Sequence, residues 1–372
     1  MKGSLRARGK DVWQLTIDLG KDPQGKRLRK YLTIKGNKGT AERKKRELLT
    51  SLDLGLPIDN NKITVSHFLD NWLDIKSSQI NPRSIYGYKN VIKRYAEPAI
   101  GHILLKDVRA THIEKLYSQN LKEGLTPRTV GQTHRILKQA FKFAVRRNFI
   151  GRNPFDSVDP PKAQIKEAKS FTAEQLKILL REAKGVFKQA FFIASVTGMR
   201  RGEIVALKWE DINFEKNYLS VKRSIVFVPR EGYLIKAPKT ASGVRPIDLS
   251  GSVIKQLKEF KAAQAVNQLA AGSYWKNEGW VLTNPDGSHL NPNSITKAFK
   301  ALRERFNMPD APLHGLRHTH ATLLLEEGIE REVVQKRLGH TSIVVTSDIY
   351  SHVTRRLQRK AADAFEKILI NE

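Results

Sequence analysis

The chain has 372 residues, enough for two or three domains, and 40% of them are hydrophobic, enough for real cores. Lys and Arg outnumber Asp and Glu by 66 to 37, and the net charge of +29 predicts a polyanionic partner, with a merely well-solvated surface as the alternative. No apolar run approaches the ~20 residues of a membrane span, the polar first residues predict no secretory signal, and the absence of cysteine excludes disulfides and thiolate metal sites.

Positive charge is concentrated at the start of the chain, where the first 50 residues hold 15 Lys and Arg against five Asp and Glu. Alternation of apolar and polar residues over 13–19 predicts a half-buried strand, and a turn at 22–25 leads into a second strand over 26–34. The polar face of that second strand carries Arg27, Arg29 and Tyr31. A small sheet with such a face can read a DNA groove, whereas an ordinary basic sheet surface is the alternative.

A helix is expected after this sheet, capped by Thr40 and running to about Leu52. The polar run 59–62 then predicts a linker. The first domain is therefore predicted to span residues 1–58 and to combine a small β-sheet with one helix.

Residues 63–158 are predicted to form an all-helical domain. Its four helices are expected to begin at Thr64, Asn81, Thr111 and Thr126. The first helix carries an apolar stripe at 3.6-residue spacing, formed by Val65, Phe68, Leu69, Trp72 and Leu73. The fourth has a basic side formed by Arg128, Arg135, Lys138, Lys142 and Arg146. A bundle with one basic side suits the DNA backbone, while solvated charge on a generic bundle is the alternative.

A linker over 159–169 is predicted next, because prolines break the helical pattern and a polar run follows. Residues 170–372 are expected to form a mixed α+β domain that is mostly helical. Thr172 and Gln175 have the spacing of a capping box. Strands are predicted around 218–228 and 233–248, with Lys239 in the hairpin-like region.

The segment 314–350 concentrates groups that handle protons and anions. It contains four of the chain's ten histidines, together with Arg317 and Tyr350. Proton donors, a fixed cation and a phenol within 37 residues are typical of a reaction centre that acts on an anion.

An ordered set of short motifs extends this centre upstream. Arg200 lies in TGMRRGE, Lys239 in PKTASGVRPI, His314 and Arg317 in HGLRH, His340 in LGH, and Tyr350 in DIYSH. Each motif alone recurs by chance, but the ordered set, spread over about 150 residues, resembles the catalytic set of the tyrosine recombinases. The resemblance continues upstream, where residues 63–158 resemble the family's core-DNA-binding domain and residues 1–58 resemble the arm-DNA-binding domain of phage-type, lambda-like integrases.

Physical chemistry supports roles for several of these residues. Attack on a phosphodiester builds negative charge on its non-bridging oxygens, and a guanidinium suits them because it donates two parallel hydrogen bonds. Arg200 and Arg317 are expected to serve in this way. A phenol with a pKa near 10 needs cations and a proton acceptor, and His314 is the expected acceptor for Tyr350.

The resemblance implies the remaining roles. Tyr350 forms a 3′-phosphotyrosine link, Lys239 protonates the leaving 5′-oxygen, and His340 binds a non-bridging oxygen. Glu203 follows Arg200 by one helical turn and is expected to orient the site. The reaction implied is DNA transesterification that needs neither metal, ATP nor another cofactor.

Rival interpretations exist for some of these residues. The close histidines His314, His318 and His320 could suggest zinc, but no HExxH motif accompanies them, and His318 and His320 are expected to be structural. Arg201 competes with Arg200, which fits the family's motif better. A plain core role is the alternative for Tyr350.

The resemblance implies a site-specific recombinase of a phage or integrative mobile element, acting as a homotetramer on double-stranded DNA with core-type and arm-type sites. An excisionase and a host DNA-bending protein are the implied partners, and the bacterial cytoplasm, without membrane contact, is the implied location. The alternatives are a resolvase or chromosome-dimer recombinase, a type IB topoisomerase-like enzyme, and a non-catalytic DNA-binding regulator.

Overall fold

The computed structural model describes residues 3–21, 27–53, 62–164, 170–237, 243–339 and 366. The chain divides into two compact units, residues 1–164 and 165–372. Within the first unit, the N-terminal sheet and the helical block have separate hydrophobic cores. The finer division into 1–58, 63–158, 159–169 and 170–372 remains a prediction.

The N-terminal sheet is an antiparallel meander. Its strands are β1 (Gly3–Gly9), β2 (Val12–Lys21) and β3 (Arg27–Lys35), paired in that order. Leu15 and Ile17 of β2 are fully buried, whereas Arg29 and Tyr31 of β3 are exposed. The two predicted strands are thus confirmed, but β1 was missed because GSLRARG has too few apolar residues to alternate. The predicted turn at 22–25 lies outside the described residues.

One helix, α1 (Lys38–Asp53), packs against this sheet through residues such as the fully buried Ala41. It begins two residues before Thr40, so the prediction of Thr40 as its cap was wrong. Asn37 caps the helix instead, because its Oδ1 accepts hydrogen bonds from the amide (2.9 Å) and the hydroxyl (3.0 Å) of Thr40. The predicted linker at 59–62 lies outside the described residues except for Lys62.

The regular elements described between residues 62 and 164 are helical. They are α2 (Val65–Ser77), α3 (Pro82–Val91), a π-helical turn (Ile92–Ala96), α4 (Glu97–Ile100), α5 (Ala110–Lys122), α6 (Pro127–Arg146) and two 3-10 turns (Leu105–Asp107 and Pro154–Ser157). Thr64, Asn81 and Thr126, at which helices were predicted to begin, are the N-caps of α2, α3 and α6, and each accepts a backbone N–H of the following turn. The predicted start at Thr111 was wrong, because α5 begins one residue earlier, where the Arg109 amide donates to His112 Nδ1 (3.1 Å).

Amphipathic helices explain why this block closes on itself. The predicted stripe of α2 is buried, as are six apolar residues of α6: Val130, Ile136, Leu137, Ala140, Phe141 and Ala144. Both helices contribute to one continuous core. The predicted pattern of these helices is therefore confirmed, and the basic residues of α6 are left on its outer side.

The second unit is mixed and mostly helical. Its helices are α7 (Ala173–Glu182), α8 (Gly185–Thr197), α9 (Arg201–Val205), α10 (Gly251–Ala271), α11 (Pro292–Arg305), α12 (Gly315–Glu326) and α13 (Arg331–Leu338). Its strands are β4 (Ile212–Asn213), β5 (Tyr218–Val221), β6 (Ser224–Val228), β7 (Gly232–Lys236) and β8 (Arg245–Asp248). The predicted capping box is present at the start of α7, with both Thr172 and Gln175 accepting the other's amide.

The two strands predicted over 218–228 and 233–248 are in fact four strands in two sheets. One sheet has the order β4-β5-β8, and the other pairs β6 with β7. The first predicted strand breaks at Lys222 and Arg223, because both charges turn to the buried carboxylate of Asp211, at 3.3 Å and 2.8 Å. The chain therefore changes sheets there, and β8 pairs with β5 rather than with β7.

Candidate active site

A glycine at the end of α8 determines how the site is assembled. Gly198 has a left-handed backbone (φ 64°) and closes α8. A Cβ at this position would lie 2.5 Å from Leu338 Cδ2 and 2.9 Å from His320 Cδ2, so a side chain does not fit. Because α8, α12 and α13 meet so closely here, their backbone carbonyls are within reach of one buried arginine.

That arginine is Arg317, in the first turn of α12. It is 2% exposed, and its Nη1 and Nη2 donate to the carbonyls of Gly198 (2.8 Å) and Leu338 (2.7 Å). Its Nε–H has no hydrogen-bond partner in the part of the chain that the structure describes. A guanidinium has five N–H groups, so Arg317 is fixed in place with donors still available for an anion.

Arg200 lies just before α9 and is held by a carboxylate one turn later. Its Nη1 donates to Glu203 Oε1 (2.9 Å), its backbone N–H to Glu203 Oε2 (2.8 Å), and its Nη2 to the carbonyl of Gly339 (3.0 Å). The rival Arg201 turns to α11, where its Nη1 donates to Thr296 Oγ1 (2.8 Å). The two neighbouring arginines line the same cavity but have different partners: Glu203 and Gly339 hold Arg200, whereas α11 holds Arg201.

Glu203 binds a second arginine that sequence reasoning did not assign. Arg245 of β8 is 5% exposed and donates to both oxygens of Glu203, at 3.1 Å and 3.5 Å. Burial alone raises the pKa of Glu203, but the hydrogen bonds and charges of Arg245 and Arg200 outweigh it and hold that pKa below its ordinary value. The only signal in the sequence was an arginine beside a β-strand in the Lys239 motif, which does not reveal its partner.

Arg200, His314 and Arg317 line one cavity of about 450 Å³, here called the arginine cavity. Parts of β6 and α11 complete its wall through Ser224, Ile225, Val226 and Thr296. Arg200 and Arg245 both donate to the carboxylate of Glu203, and Arg317 lies within range of its charge without a hydrogen bond to it in the described residues. Burial first, and then the charge of Arg200, lower the pKa of Arg317. An arginine stays charged all the same, so the site is electrostatically suited to an anion.

His314 lies at the N-terminus of α12, immediately before its first residue. Its ring packs edge-to-face on His318, with centroids 5.0 Å apart. Partial burial of the ring first, and then the charges of His318, Arg317 and Arg200, lower the pKa of His314 to about 4. The residue is nevertheless exposed, so water screens these charges. The imidazole is neutral at neutral pH and can accept a proton.

His320 uses both of its ring nitrogens for hydrogen bonds within the fold. Its Nδ1 lies 2.8 Å from the carbonyl of Ser195, and its Nε2 accepts from Arg337 Nε (3.2 Å). These partners assign the proton to Nδ1. Arg337 also donates to the carbonyls of Asp248 and Val196, at 3.0 Å and 3.2 Å. This arrangement ties α13 to α8, α12 and β8.

Three of the six predicted catalytic residues, Lys239, His340 and Tyr350, lie outside the described residues. The structure therefore brings together Arg200, Glu203, His314 and Arg317 of the predicted set. Within the described ranges, no group of three or more His, Cys, Asp or Glu side chains could hold a metal ion. No helix in those ranges is long and apolar enough to cross a membrane.

Of the eight residues predicted to contact DNA, seven are exposed and one is partly buried. Arg27, Arg29 and Tyr31 are exposed on β3, and Arg128, Arg135, Lys142 and Arg146 are exposed along α6. Residues 128, 135 and 142 recur at seven-residue intervals and so lie on one side of the helix. Lys138 differs, because it is only partly exposed and its Nζ lies 3.1 Å from Asp156. An open groove of about 600 Å³ follows this basic side, between Tyr88 and Arg146.

Comparison with known proteins points to one family. Residues 169–356, just over half of the chain, match the model described as the phage integrase family, and residues 64–121 match phage integrase, N-terminal SAM-like domain. A curated relative, the tyrosine recombinase XerC-like protein of Caldanaerobacter subterraneus subsp. tengcongensis, is 29% identical over 382 residues, which cover 97% of each chain.

Solved structures give the same fold. A Tn1549 transposon integrase in complex with transposon right end DNA has a TM-score of 0.69 at 22% identity, covering 82% of this chain and 99% of that chain. A lambda integrase tetramer bound to a Holliday junction has a TM-score of 0.58 at 19% identity, covering 91% and 95%. The predicted lambda-integrase-like fold, with a small N-terminal sheet and a mostly helical second unit, is confirmed by these likenesses.

Proposed function

This chain belongs to the phage integrase family, and we propose that it cuts and rejoins DNA with Arg200, Lys239, His314, Arg317, His340 and Tyr350. It is a site-specific tyrosine recombinase of a phage or mobile element. The resolvase or chromosome-dimer, type IB topoisomerase and regulator alternatives are not favoured by the named relatives.

The observation that carries the proposal is the arginine cavity. Arg317 and Arg200 are held by backbone carbonyls and by Glu203 before any substrate arrives. Donors that are fixed in advance need no reorganisation when charge develops on a phosphate, and each is worth ~3 kcal/mol of transition-state stabilisation. A phosphodiester in the cavity accepts hydrogen bonds from Arg317 and Arg200 through its non-bridging oxygens.

The chemical step is a transesterification. The Tyr350 oxygen forms a bond to phosphorus while the bond from phosphorus to the 5′-oxygen breaks. The phenol proton passes to His314, whose neutral ring is open to receive it. Lys239 gives a proton to the departing 5′-oxygen, and His340 donates a hydrogen bond to a non-bridging oxygen. The products are a 3′-phosphotyrosine and a free 5′-hydroxyl.

The reverse of this step joins strands. The phosphodiester energy is kept in the link to Tyr350, so a 5′-hydroxyl from the partner duplex can attack it without ATP. Exchange between two duplexes requires four such sites, and a homotetramer on DNA supplies them. The lambda integrase tetramer on a Holliday junction supports this assembly.

DNA contacts outside the cavity are proposed for both parts of the first unit. The helical block binds core-type sites through the basic side of α6, and the N-terminal sheet binds arm-type sites through Arg27, Arg29 and Tyr31. Exposed cations on a helix face and a strand face favour phosphate contacts. An excisionase and a host DNA-bending protein complete the proposed set of partners, and the enzyme works on DNA in the bacterial cytoplasm.

A nicked suicide duplex tests the nucleophile. A nick near the scissile phosphate lets the cleaved fragment diffuse away, so the wild-type chain is expected to accumulate a covalent protein–DNA adduct. Tyr350→Phe should bind the same DNA and form none, while Tyr274→Phe, which changes a tyrosine that is 85% exposed outside the cavity, should react like the wild type. Adduct formation by Tyr350→Phe would overturn the assignment. Relaxation of plasmids that carry no recombination site would instead favour the topoisomerase alternative.

A further inference from the structure

The side chain of Arg245, on β8, donates hydrogen bonds to three different residues beside the arginine cavity. Its Nη2 and Nη1 donate to Glu203 at 3.1 Å and 3.5 Å, its Nη1 also donates to the carbonyl of Gly243 at 3.1 Å, and its Nε donates to the carbonyl of Arg337 at 2.8 Å. With 5% of its surface exposed, it is out of reach for a DNA backbone. Its charge is therefore used inside the protein.

Two of the groups that Arg245 holds, Glu203 and the carbonyl of Arg337, belong to distant segments of the proposed site, and the third, Gly243, lies two residues before Arg245 itself. Glu203 fixes Arg200. Gly243 follows Lys239 by four residues, and Arg337 precedes His340 by three. The guanidinium of Arg245, six residues after Lys239, thus joins Glu203, which holds Arg200, to the end of α13, three residues before His340.

Only a guanidinium can make this set of bonds. Its rigid fork sends donors in three directions at once, whereas a lysine offers one compact ammonium at the end of a flexible stem. The segments are far apart in sequence, since Glu203 and Arg337 are 42 and 92 residues from Arg245. This side chain therefore connects segments that local structure does not hold together.

We propose that Arg245 is a positioning residue: it fixes the start of β8, six residues after Lys239, against Glu203 and the end of α13, and so limits where the acid can lie relative to the phosphate held by Arg200. The inference rests on the proposed function, because it assigns Lys239 as the acid for the 5′-oxygen. Arg245 itself touches neither substrate nor the reacting atoms.

The leaving group provides a readout that separates positioning of the acid from general stability. An alkoxide needs a proton as it departs, whereas a thiolate leaves readily without one because a thiol is much the stronger acid. A nicked substrate with sulfur in place of the 5′-oxygen therefore bypasses Lys239. Loss of phosphate binding, or partial unfolding, slows both substrates alike.

The experiment measures single-turnover adduct formation by the full-length chain on the oxygen and the sulfur substrate. Arg245→Gln is expected to slow the oxygen substrate by about 100-fold, the effect of a misplacement of roughly 1 Å, and the sulfur substrate by less than about 10-fold. Lys239→Ala should show the same preference for sulfur. Arg245→Lys, which keeps the charge and loses the fork, should show it as well and serves where Arg245→Gln does not fold.

Arg223→Gln is the matched control. Arg223 also binds a buried carboxylate, Asp211 at 2.8 Å, but none of its bonds reaches the arginine cavity. It should keep the wild-type ratio of the two rates. DNA affinity should be unchanged in Arg245→Gln, because the buried side chain offers no phosphate contact.

Three results would overturn the inference, and they are distinguishable. If both Arg245 variants keep the wild-type ratio of the oxygen and sulfur rates while Lys239→Ala is rescued by sulfur, the positioning role of Arg245 is refuted and the role of Lys239 stands. Lack of sulfur rescue for Lys239→Ala refutes the role of Lys239 and the inference with it. A wild-type chain that forms no adduct on either substrate refutes the proposed function.

Discussion

Arg317 is a buried cation whose two described hydrogen bonds both end on backbone carbonyls, those of Gly198 and Leu338. Carbonyl oxygens orient a guanidinium without neutralising it, so its charge remains available to a ligand. The carboxylate nearby, on Glu203, is already shared by Arg200 and Arg245. At the scale of single residues, the site is thus a set of cations whose charge is suited to an anion.

Replacing Arg317 with lysine tests whether the site needs the several N–H donors of a guanidinium or only a positive charge. Arg317→Lys keeps a positive charge but cannot donate to Gly198, Leu338 and a phosphate together. Adduct formation on the nicked duplex should fall by roughly 100-fold or more, as when one preorganised donor is removed. Arg303→Lys is the control, because Arg303 is 11% exposed and also donates to a backbone carbonyl, that of Ala311 at 2.8 Å, away from the cavity. Equal losses in the two variants would contradict the account.

His320 predicts a pH dependence of stability. Burial first, and then the charges of Arg337 and Arg317, lower its pKa to about 4 in the folded chain, from an ordinary value of 6.5. Between these values the unfolded state binds more protons, so stability falls as pH falls, by up to about 1.4 kcal/mol per pH unit. Melting temperatures measured from pH 7 to pH 4.5 should decline less steeply for His320→Gln.

Gln keeps an acceptor for Arg337 and removes the titration, which makes the comparison specific. His102→Gln, at an exposed position of the first unit, should reproduce the wild-type decline. Parallel declines for the wild type and His320→Gln would show that protonation of His320 contributes nothing to acid sensitivity.

At the scale of elements, helix starts could be predicted from the sequence where the capping residue and the amide it accepts lie within one turn. Thr64, Asn81, Thr126 and Thr172 mark helix starts as predicted, because each caps its helix by accepting an amide only two or three residues away. Thr40 failed as a cap because Asn37, another good capping residue, stands three residues before it.

What could not be predicted depends on contacts between distant segments. The break between β5 and β6 follows from the buried carboxylate of Asp211, and the role of Arg245 follows from Glu203, 42 residues away. The carbonyls of Gly198 and Leu338 that hold Arg317 are backbone atoms, which carry no sequence signature. Motif order predicted the identities of Arg200, His314 and Arg317, but not how the fold holds them.

The basic side of α6 predicts a salt-dependent contribution to DNA binding. Each phosphate contact adds about 0.9 to the slope of log affinity against log salt concentration, so Arg135→Gln/Lys142→Gln should reduce that slope by about 1.8. Lys138→Gln should change it much less, because Lys138 is already paired with Asp156. Fluorescence anisotropy with a core-site duplex at several salt concentrations measures both. A slope that is unchanged in the double variant would exclude this helix face as the DNA contact.

At the scale of the whole molecule, the net charge of +29 is spread over parts with separate cores. A small sheet and a helical block that each bury their own apolar residues are suited to bind separate DNA sites. The N-terminal sheet presents Arg29 and Tyr31 outward while Leu15 and Ile17 form its core. This separation predicts that arm-type and core-type binding can be removed independently.

Deletion of residues 1–60 should therefore abolish binding to arm-type DNA and leave affinity for a core-site duplex within a few-fold of the wild-type value. Arg29→Gln/Tyr31→Ala in the full chain should weaken arm-type binding without unfolding the sheet, since both side chains are exposed. Gel shifts with each duplex separate the two activities. Equal affinities of the truncated and intact chains for every duplex would argue against two classes of site.

We propose that the arginine cavity presents a phosphodiester to Tyr350, and mapping of the covalent adduct is the decisive experiment. The wild-type chain is trapped on the nicked duplex, digested with protease and nuclease, and analysed by tandem mass spectrometry. We expect one modified peptide, with the nucleotide remnant joined through a 3′-phosphate to the oxygen of Tyr350. An adduct on any other residue, or cleavage with no protein-linked nucleotide, would contradict it.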